Sequence, residues 1–173
     1  MADRSLTGVL LVGGASRRFG SPKALAELDG STLAEIGWET LAFCDERLAV
    51  GKSADGLELP FRVLDDGTGI RAPIAGVIAG LRAAANELCV VLPVDTPRVD
   101  LDTLRVLAEA CADAAVPQTG PLPGAYRKSA LPALEAALAD GKLSLREAIA
   151  GLDVAQLQVD PALLTNINTP DDL

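Results

Sequence analysis

The sequence predicts an α/β fold in which a mostly parallel central sheet is covered by helices on both faces, giving three layers. Three observations lead there. Short β-rich apolar runs alternate with helical patterns from one end of the chain to the other. The first of those runs passes straight into a glycine-rich loop that carries cations. No internal repeat, low-complexity tract or linker interrupts the alternation. At 173 residues and 49% hydrophobic content, the length suits one domain over residues 1–173 with ample material for its core.

The elements follow in order. Strands are expected near residues 7–12, 47–50, 61–65 and 88–93. Between the first two, Thr32 with Glu35 three positions on has capping-box spacing, opening a helix to about Phe43 with Leu33, Ile36 and Leu41 on its buried side. Trp38 in that helix is read as packing. A second helix begins at Pro73, a residue suited to the first helical position, and repeats Ile74, Val77, Ile78 and Leu81 at i, i+3, i+4 and i+7. Asp100 is the N-cap of a third, whose stripe is Leu101, Leu104, Leu107, Ala108 and Cys111. The later half is less regular: strands at 115–118, 124–127 and 154–159, helices at 129–139 and 144–150, the last with a second capping-box pair in Ser144 and Glu147.

Composition removes several function classes. The net charge of −9 argues against a nucleic-acid surface, which needs a basic stripe, but is compatible with a small anionic ligand held by a local cationic loop. The apolar runs 6–12 and 88–94 fall far short of the roughly 20 residues of a membrane span, and no N-terminal basic-then-apolar signal is seen, so the expected location is the cytoplasm. Cys44, Cys89 and Cys111 sit in apolar surroundings without a C-x-x-C pair and read as core thiols. The chain has no histidine, which excludes Ser-His-Asp hydrolysis, His-ligated zinc and imidazole general-base chemistry together. A nucleophile that is already ionised, such as a phosphate oxygen, needs positioning and charge neutralisation more than proton removal.

The richest segment chemically is residues 10–24, of pattern G-G-x-S-x-R-x-G-x-x-K. Gly13, Gly14 and Gly20 let backbone N–H groups approach phosphate oxygens, and Arg18 and Lys23 neutralise the charge gathered there. A Walker A loop would end Gly-Lys-Ser/Thr, whereas Lys23 lies between Pro22 and Ala24; the dinucleotide fingerprint G-x-G-x-x-G is absent as well. The bland alternative is an ordinary strand-to-helix turn with solvated basic residues.

Ligands of open α/β sheets gather at the C-terminal ends of strands, and two acids fall at such ends. Asp65 ends the third expected strand; its carboxylate either accepts hydrogen bonds from a nucleotide sugar or base, or simply forms a turn. Asp95 follows the apolar run 88–94 and is a candidate Mg²⁺ ligand, since magnesium takes few carboxylates together with waters and substrate phosphates. Asn168 is a candidate amide-oxygen partner. A loop aspartate capping the next turn is the alternative for Asp95.

Taken together, these residues resemble the molybdenum cofactor guanylyltransferase family of bacterial nucleotidyltransferases over nearly the whole chain. Residues 11–24 match its L-x-G-G-x-S-x-R-x-G-x-x-K-A opening, Asp65 with residues 72–76 its aspartate and G-P-L-A-G helix start, and residues 94–97 its C-D-x-P metal segment. Residues 121–127 and 166–173 are similar to its P-L-x-G-x-Y-R strand and N-x-N-T-P-E-D-L tail. The opening motif is shared with cytidylyl and sugar-phosphate nucleotidyltransferases; the later segments favour the molybdopterin branch.

The resemblance implies a Rossmann-like three-layer sandwich of the nucleotide-diphospho-sugar transferase type, and transfer of GMP from GTP to the terminal phosphate of molybdopterin or Mo-molybdopterin, releasing pyrophosphate. In that scheme Arg18 and Lys23 hold the triphosphate, and Leu11, Val12, Gly13 and Gly14 offer backbone groups to base and phosphates. Asp65 contacts the nucleoside, and Asp95, with Asn168, binds Mg²⁺. No nucleic acid or membrane is implied, and molybdoenzyme maturation proteins stay open as partners. Four departures from the pattern bear on it: Ala72 stands for the usual glycine and Val94 for the usual cysteine, residues 50–53 lack an Asn that bears on base preference, and residues 120–122 lack a polar residue that bears on acceptor contacts. The rival readings are a CTP-using or other-acceptor nucleotidyltransferase and a non-catalytic nucleotide- or pterin-binding module.

Overall fold

The computed structural model describes residues 5–13 and 19–173. Its central feature is a seven-stranded sheet built from β1 (Leu6–Leu11), β4 (Glu46–Gly51), β5 (Val63–Asp65), β6 (Leu88–Pro93), β7 (Ala114–Pro117), β8 (Gly124–Arg127) and β9 (Val154–Leu157), in the order β5-β4-β1-β6-β8-β7-β9. β1 pairs in parallel with β4 on one side and β6 on the other, β4 with β5, and β7 with β9. Only β8 among these runs against its neighbours β6 and β7. The expected mostly parallel α/β sheet is therefore present.

Two layers of helices cover it, and the strand alternation shows why. In β1 and β6, Leu10, Leu88, Val90 and Leu92 enter one core together with Leu33 of α1 (Leu33–Thr40) and Leu104 and Leu107 of α3 (Leu101–Ala110). Val9, Leu11, Cys89 and Val91 point the other way, into a second core. They meet Ile74, Ile78 and Leu81 of α2 (Pro73–Ala83), Leu134 of α4 (Leu131–Ala139) and Leu145 of α5 (Leu145–Ile149). Buried on both faces, the central strands read as near-continuous apolar runs.

The helix starts are those the sequence indicates. Thr32 Oγ1 accepts the Glu35 N–H at 3.1 Å while Glu35 Oε2 accepts the Thr32 N–H at 2.8 Å, a closed capping box. Asp100 Oδ1 accepts the Thr103 N–H at 2.8 Å, and Ser144 Oγ the Glu147 N–H at 3.2 Å. Trp38 does pack, stacked on Phe61 at 4.2 Å between centroids. The three cysteines are free, and burial pushes the thiols of Cys44 and Cys89 up to about 12 and that of Cys111 to about 11, as befits inert core thiols.

Several boundaries differ from expectation. The third strand starts at Val63 rather than residue 61, and the strand expected at 115–118 is shifted to Ala114–Pro117. The last one stops at Leu157, and the segment expected as a helix from 129 begins as a 3₁₀ turn, Lys128–Ala130, before α4. A small hairpin, β2 (Glu27–Leu28) with β3 (Ser31–Thr32), was not anticipated; it turns on Asp29 and Gly30, with φ of 53° and 88°. Positive φ at both central residues is the requirement of a tight hairpin turn, and Asp-Gly meets it at low cost.

Candidate active site

From β1 the chain runs outward through β4 to β5, then crosses back to place β6 on the other side of β1. That reversal leaves a crevice at the carboxyl ends of β1 and β6, the place where open α/β sheets bind ligands. The strand ends are tied: the Val94 N–H donates to the Leu11 carbonyl at 3.1 Å, and the Val12 N–H to the Val50 carbonyl at 3.0 Å. A cleft of about 650 Å³ opens there. Leu11, Val12 and Gly13 form its floor from β1, with Val50, Gly51 and Lys52 on the β4 side, Asp95 on the β6 side, and Ala72, Pro73 and Gly76 at the start of α2.

Lys23 enters the cleft from a single 3₁₀ turn, Lys23–Leu25, whose Ala24 is buried in the core. Its Nζ lies 3.8 Å from Oδ2 of Asp95, an ion pair though too long for a hydrogen bond. Asp95 sits just past β6 in a turn held by Thr96, whose Oγ1–H donates to the Pro93 carbonyl at 3.1 Å. Burial pushes the Asp95 carboxyl above its ordinary range, and the neighbouring Lys23 ammonium pulls it part of the way back. A half-buried carboxylate beside one cation is well suited to a further cationic partner. The Asp95 carbonyl also receives the Ile167 N–H at 2.7 Å, so the C-terminal tail is docked here and both Asn166 and Asn168 line the cleft. Beyond it, Asp172 Oδ2 accepts the N–H groups of Asn168 and Thr169, each at 2.9 Å.

Of the residues singled out in the sequence, Leu11, Val12, Gly13, Lys23, Asp95 and Asn168 are brought together. Gly14 and Arg18 lie outside the described residues. Asp65 is not among the lining residues: it is exposed, and its two oxygens accept the Ser53 N–H at 2.7 Å and the Gly67 N–H at 2.6 Å, which hold its carboxyl below the usual range. That is the turn-forming alternative for this residue. Its neighbour Asp66 lines the cleft instead.

Lys52 and Asp66 also line the cleft, and no motif in the sequence singles them out. Lys52 Nζ donates to Asp66 Oδ1 at 2.7 Å, to the Thr68 carbonyl at 2.7 Å and to Thr68 Oγ1 at 3.3 Å, and both charged side chains are at least nine-tenths buried. Asp66 Oδ1 also accepts the Thr68 N–H at 3.0 Å, an Asx turn whose Asp-x-Thr spacing is visible in the sequence. Nothing local signals the Lys52 partner. Arg71 also lines the cleft, half-exposed and paired with Asp55 at 2.9 Å.

No group of three or more His, Cys, Asp or Glu able to hold a metal occurs among the described residues. A calcium-type cage of several carboxylates is thus not assembled there, whereas the set at hand, one half-buried carboxylate with an amide side chain lining the same cleft, fits a hard cation completed by water and phosphate oxygens.

Comparison with known proteins agrees with this geometry. The model of the MobA-like NTP transferase domain matches residues 8–157, from β1 through β9. The chain belongs to the MobA-like NTP transferase family. It is accordingly a nucleotidyltransferase. Relatives include proteins named probable molybdenum cofactor guanylyltransferase from Bacillus subtilis, 32% identical over 95% of this chain and 90% of that one, and from Chloroflexus aggregans, 33% identical over 97% and 91%. Among solved structures, molybdopterin-guanine dinucleotide biosynthesis protein A from Archaeoglobus fulgidus superposes with a TM-score of 0.82 at 29% identity, over 96% of this chain and 94% of that one. The 2-C-methyl-D-erythritol 4-phosphate cytidylyltransferase of Thermus thermophilus, 23% identical with a TM-score of 0.75 over 95% and 93%, shares the fold. Among the described residues no helix is long and apolar enough to cross a membrane.

Proposed function

We propose that this chain transfers GMP from GTP to the terminal phosphate of molybdopterin, yielding a guanine dinucleotide and pyrophosphate. The observation that carries the reading is the Lys23–Asp95 pair: two opposite charges from distant parts of the chain, 3.8 Å apart inside one crevice at the strand ends. The names of the relatives and of the Archaeoglobus structure supply the nucleotide and the acceptor.

In this reaction an acceptor phosphate oxygen attacks the α-phosphorus of the triphosphate. The bond from that phosphorus to the bridging oxygen breaks, and pyrophosphate leaves with the electron pair. The attacking oxygen is already ionised, so no general base is required, in keeping with a chain that has no histidine. The obstacle is repulsion between two polyanions and charge growing on the leaving group. Lys23 meets the triphosphate beside Asp95, and Arg18 of the glycine-rich segment is the second cation of the scheme. Backbone N–H groups of the glycine-rich loop beyond Val12 orient the phosphates. Mg²⁺ is the cation that Asp95 and Asn168 would hold, and when bound it neutralises phosphate charge. Asp65 takes part by fixing the turn at residues 65–67 that leads into the cleft wall.

The test supplies the purified protein with MgCl₂, molybdopterin and GTP, CTP or ATP in separate reactions, then identifies the dinucleotide and measures pyrophosphate. Guanine dinucleotide from GTP is the expected result. Cytosine dinucleotide formed in preference would reassign the base, and no dinucleotide from any triphosphate would overturn the transfer itself.

A further inference from the structure

Three cations line the cleft among the described residues, Lys23, Lys52 and Arg71, and they differ in what they have left to offer a ligand. Lys23 stands beside Asp95, where the proposed transfer gathers Mg²⁺ and phosphate. Lys52 has three N–H donors and three acceptors in place, Asp66 Oδ1, the Thr68 carbonyl and Thr68 Oγ1, so it has nothing left to donate. Arg71 is the exception. Its guanidinium carries five N–H donors in a rigid planar fork, and among the described residues only one contact uses them, from Nη2 to Asp55 Oδ1 at 2.9 Å. Arg71 is half-exposed whereas the Asp55 side chain is largely covered, so the pair holds the guanidinium at the cleft wall with donors to spare.

The charges around Arg71 point to an uncharged ligand group rather than to phosphate. Lys52 is matched by Asp66 and Arg71 by Asp55, and the adjacent Asp65 is a further, exposed carboxylate. This wall therefore carries no surplus positive charge to draw a polyanion. Val50, Gly51 and Ile70 add apolar or side-chain-free surface to the same cleft. A flat heterocycle that presents hydrogen-bond acceptors meets these conditions.

We propose that Arg71 selects the base of the nucleotide by donating two parallel hydrogen bonds to O6 and N7 of guanine. This rests on the guanylyl-transfer reading above and deepens it. Guanine presents those two acceptors side by side on one edge, and the guanidinium fork matches them as a pair. Adenine keeps N7 but places an amino donor where guanine has O6, so donor would meet donor. Lys23 and Asp95 serve the phosphates whatever the base, which leaves discrimination to the fork.

The experiment is equilibrium titration of the full chain with GTP, ITP, 7-deaza-GTP, ATP and CTP, in the presence of MgCl₂ and without acceptor. ITP keeps O6 and N7 and lacks only the 2-amino group, whereas 7-deaza-GTP has a C–H in place of N7. The wild type should bind ITP as it binds GTP, and both 7-deaza-GTP and ATP about tenfold more weakly. Arg71→Ala should weaken GTP and ITP to the level of ATP while leaving ATP where it was. Arg71→Lys, which keeps the charge and loses the fork, should do the same. Four results would overturn the inference: ITP bound as weakly as ATP, 7-deaza-GTP bound as tightly as GTP, an equal loss of every nucleotide in Arg71→Ala, which would assign the residue to phosphate, or an undiminished preference for GTP over ATP in either variant. All four leave guanylyl transfer standing. A wild type that prefers CTP would instead overturn the guanylyl reading itself, and this inference with it.

Discussion

Ile167 donates its backbone N–H to the carbonyl of Asp95 at 2.7 Å, which stitches the C-terminal tail to the turn that carries the site's carboxylate. The Ile167 side chain is buried in the same core as Leu92 and Val94 of that strand and turn, so the stitch is backed by packing. Asn168 reaches the cleft because its neighbour is anchored in this way.

Ile167→Ala should therefore do two things. Removing a buried aliphatic side chain costs about 2–5 kcal/mol of stability. With the anchor loosened, kcat should also fall in enzyme that is still folded, by an amount similar to that of Asn168→Ala. Chemical denaturation and steady-state pyrophosphate release check the two effects separately; a destabilised variant with undiminished kcat would show that the tail serves the fold alone.

Lys23→Ala tests the charge pair. Loss of a preorganised donor to developing charge lowers kcat by about 10²–10³, and because Lys23 offsets part of the burial cost of the Asp95 carboxylate, the thermal midpoint should fall near pH 7 and recover as the pH is lowered. Lys23→Arg should recover only part of the activity, because a planar fork does not replace a point charge at a site shaped for an ammonium. Comparable kcat in wild type and Lys23→Ala would remove the residue from the transfer step.

What the sequence made legible were features encoded within a few residues: apolar runs bounded by turns, capping pairs such as Thr32–Glu35, and the proline at the start of α2. Lys23 and Asp95 were legible too, because each sits at the end of a recognisable run. The 27–32 hairpin carried a signal in Asp29-Gly30, but strands of two residues leave too little periodicity to notice. The Lys52–Asp66 pair left no local trace. Lys52 finds its partner 14 positions away, across the parallel pairing of β4 with β5, and only that register shows they meet. Asp65 and Asp66 are adjacent acids that sequence alone cannot separate; in the fold the first turns outward to main-chain donors and the second lines the cleft.

α2 lies close on β1 because Gly80 has no side chain. A Cβ built there would come 2.6 Å from Val9 Cγ1 and 3.1 Å from its Cγ2, and Val9 is fully buried and β-branched, with little freedom to turn aside. Alanine favours a helix interior over glycine by about 1 kcal/mol, whereas overpacking a close-packed core costs about 1–3 kcal/mol. Gly80→Ala should accordingly be neutral to destabilising by up to about 2 kcal/mol, measured by urea unfolding. A clear gain in stability would mean that α2 can lift off β1 at no cost.

On the proposed guanylyl-transfer reading, Asp95 sets stability against catalysis in a way that pH can expose. Burial raises its carboxyl pKa in the folded protein above the ordinary 3.8, and Lys23 only partly opposes the shift. Over the window just above 3.8 the native state holds this proton while the unfolded chain has released it. The native state thus binds more protons than the unfolded one, and the contribution of Asp95 to stability falls as pH rises through the window. At neutral pH the ionised carboxylate is a cost to the fold. Asp95→Asn, which keeps the shape and removes the charge, should melt higher than the wild type near pH 7, and the gap should close as the pH falls towards about 4. The same variant should lose most turnover. MgCl₂ with GTP should raise the wild-type midpoint more than that of Asp95→Asn, since only the wild type presents the carboxylate. Thermal melts of both proteins across this pH range settle the sign: an asparagine variant less stable than the wild type near pH 7 without nucleotide would show that the Lys23 attraction outweighs the cost of burial.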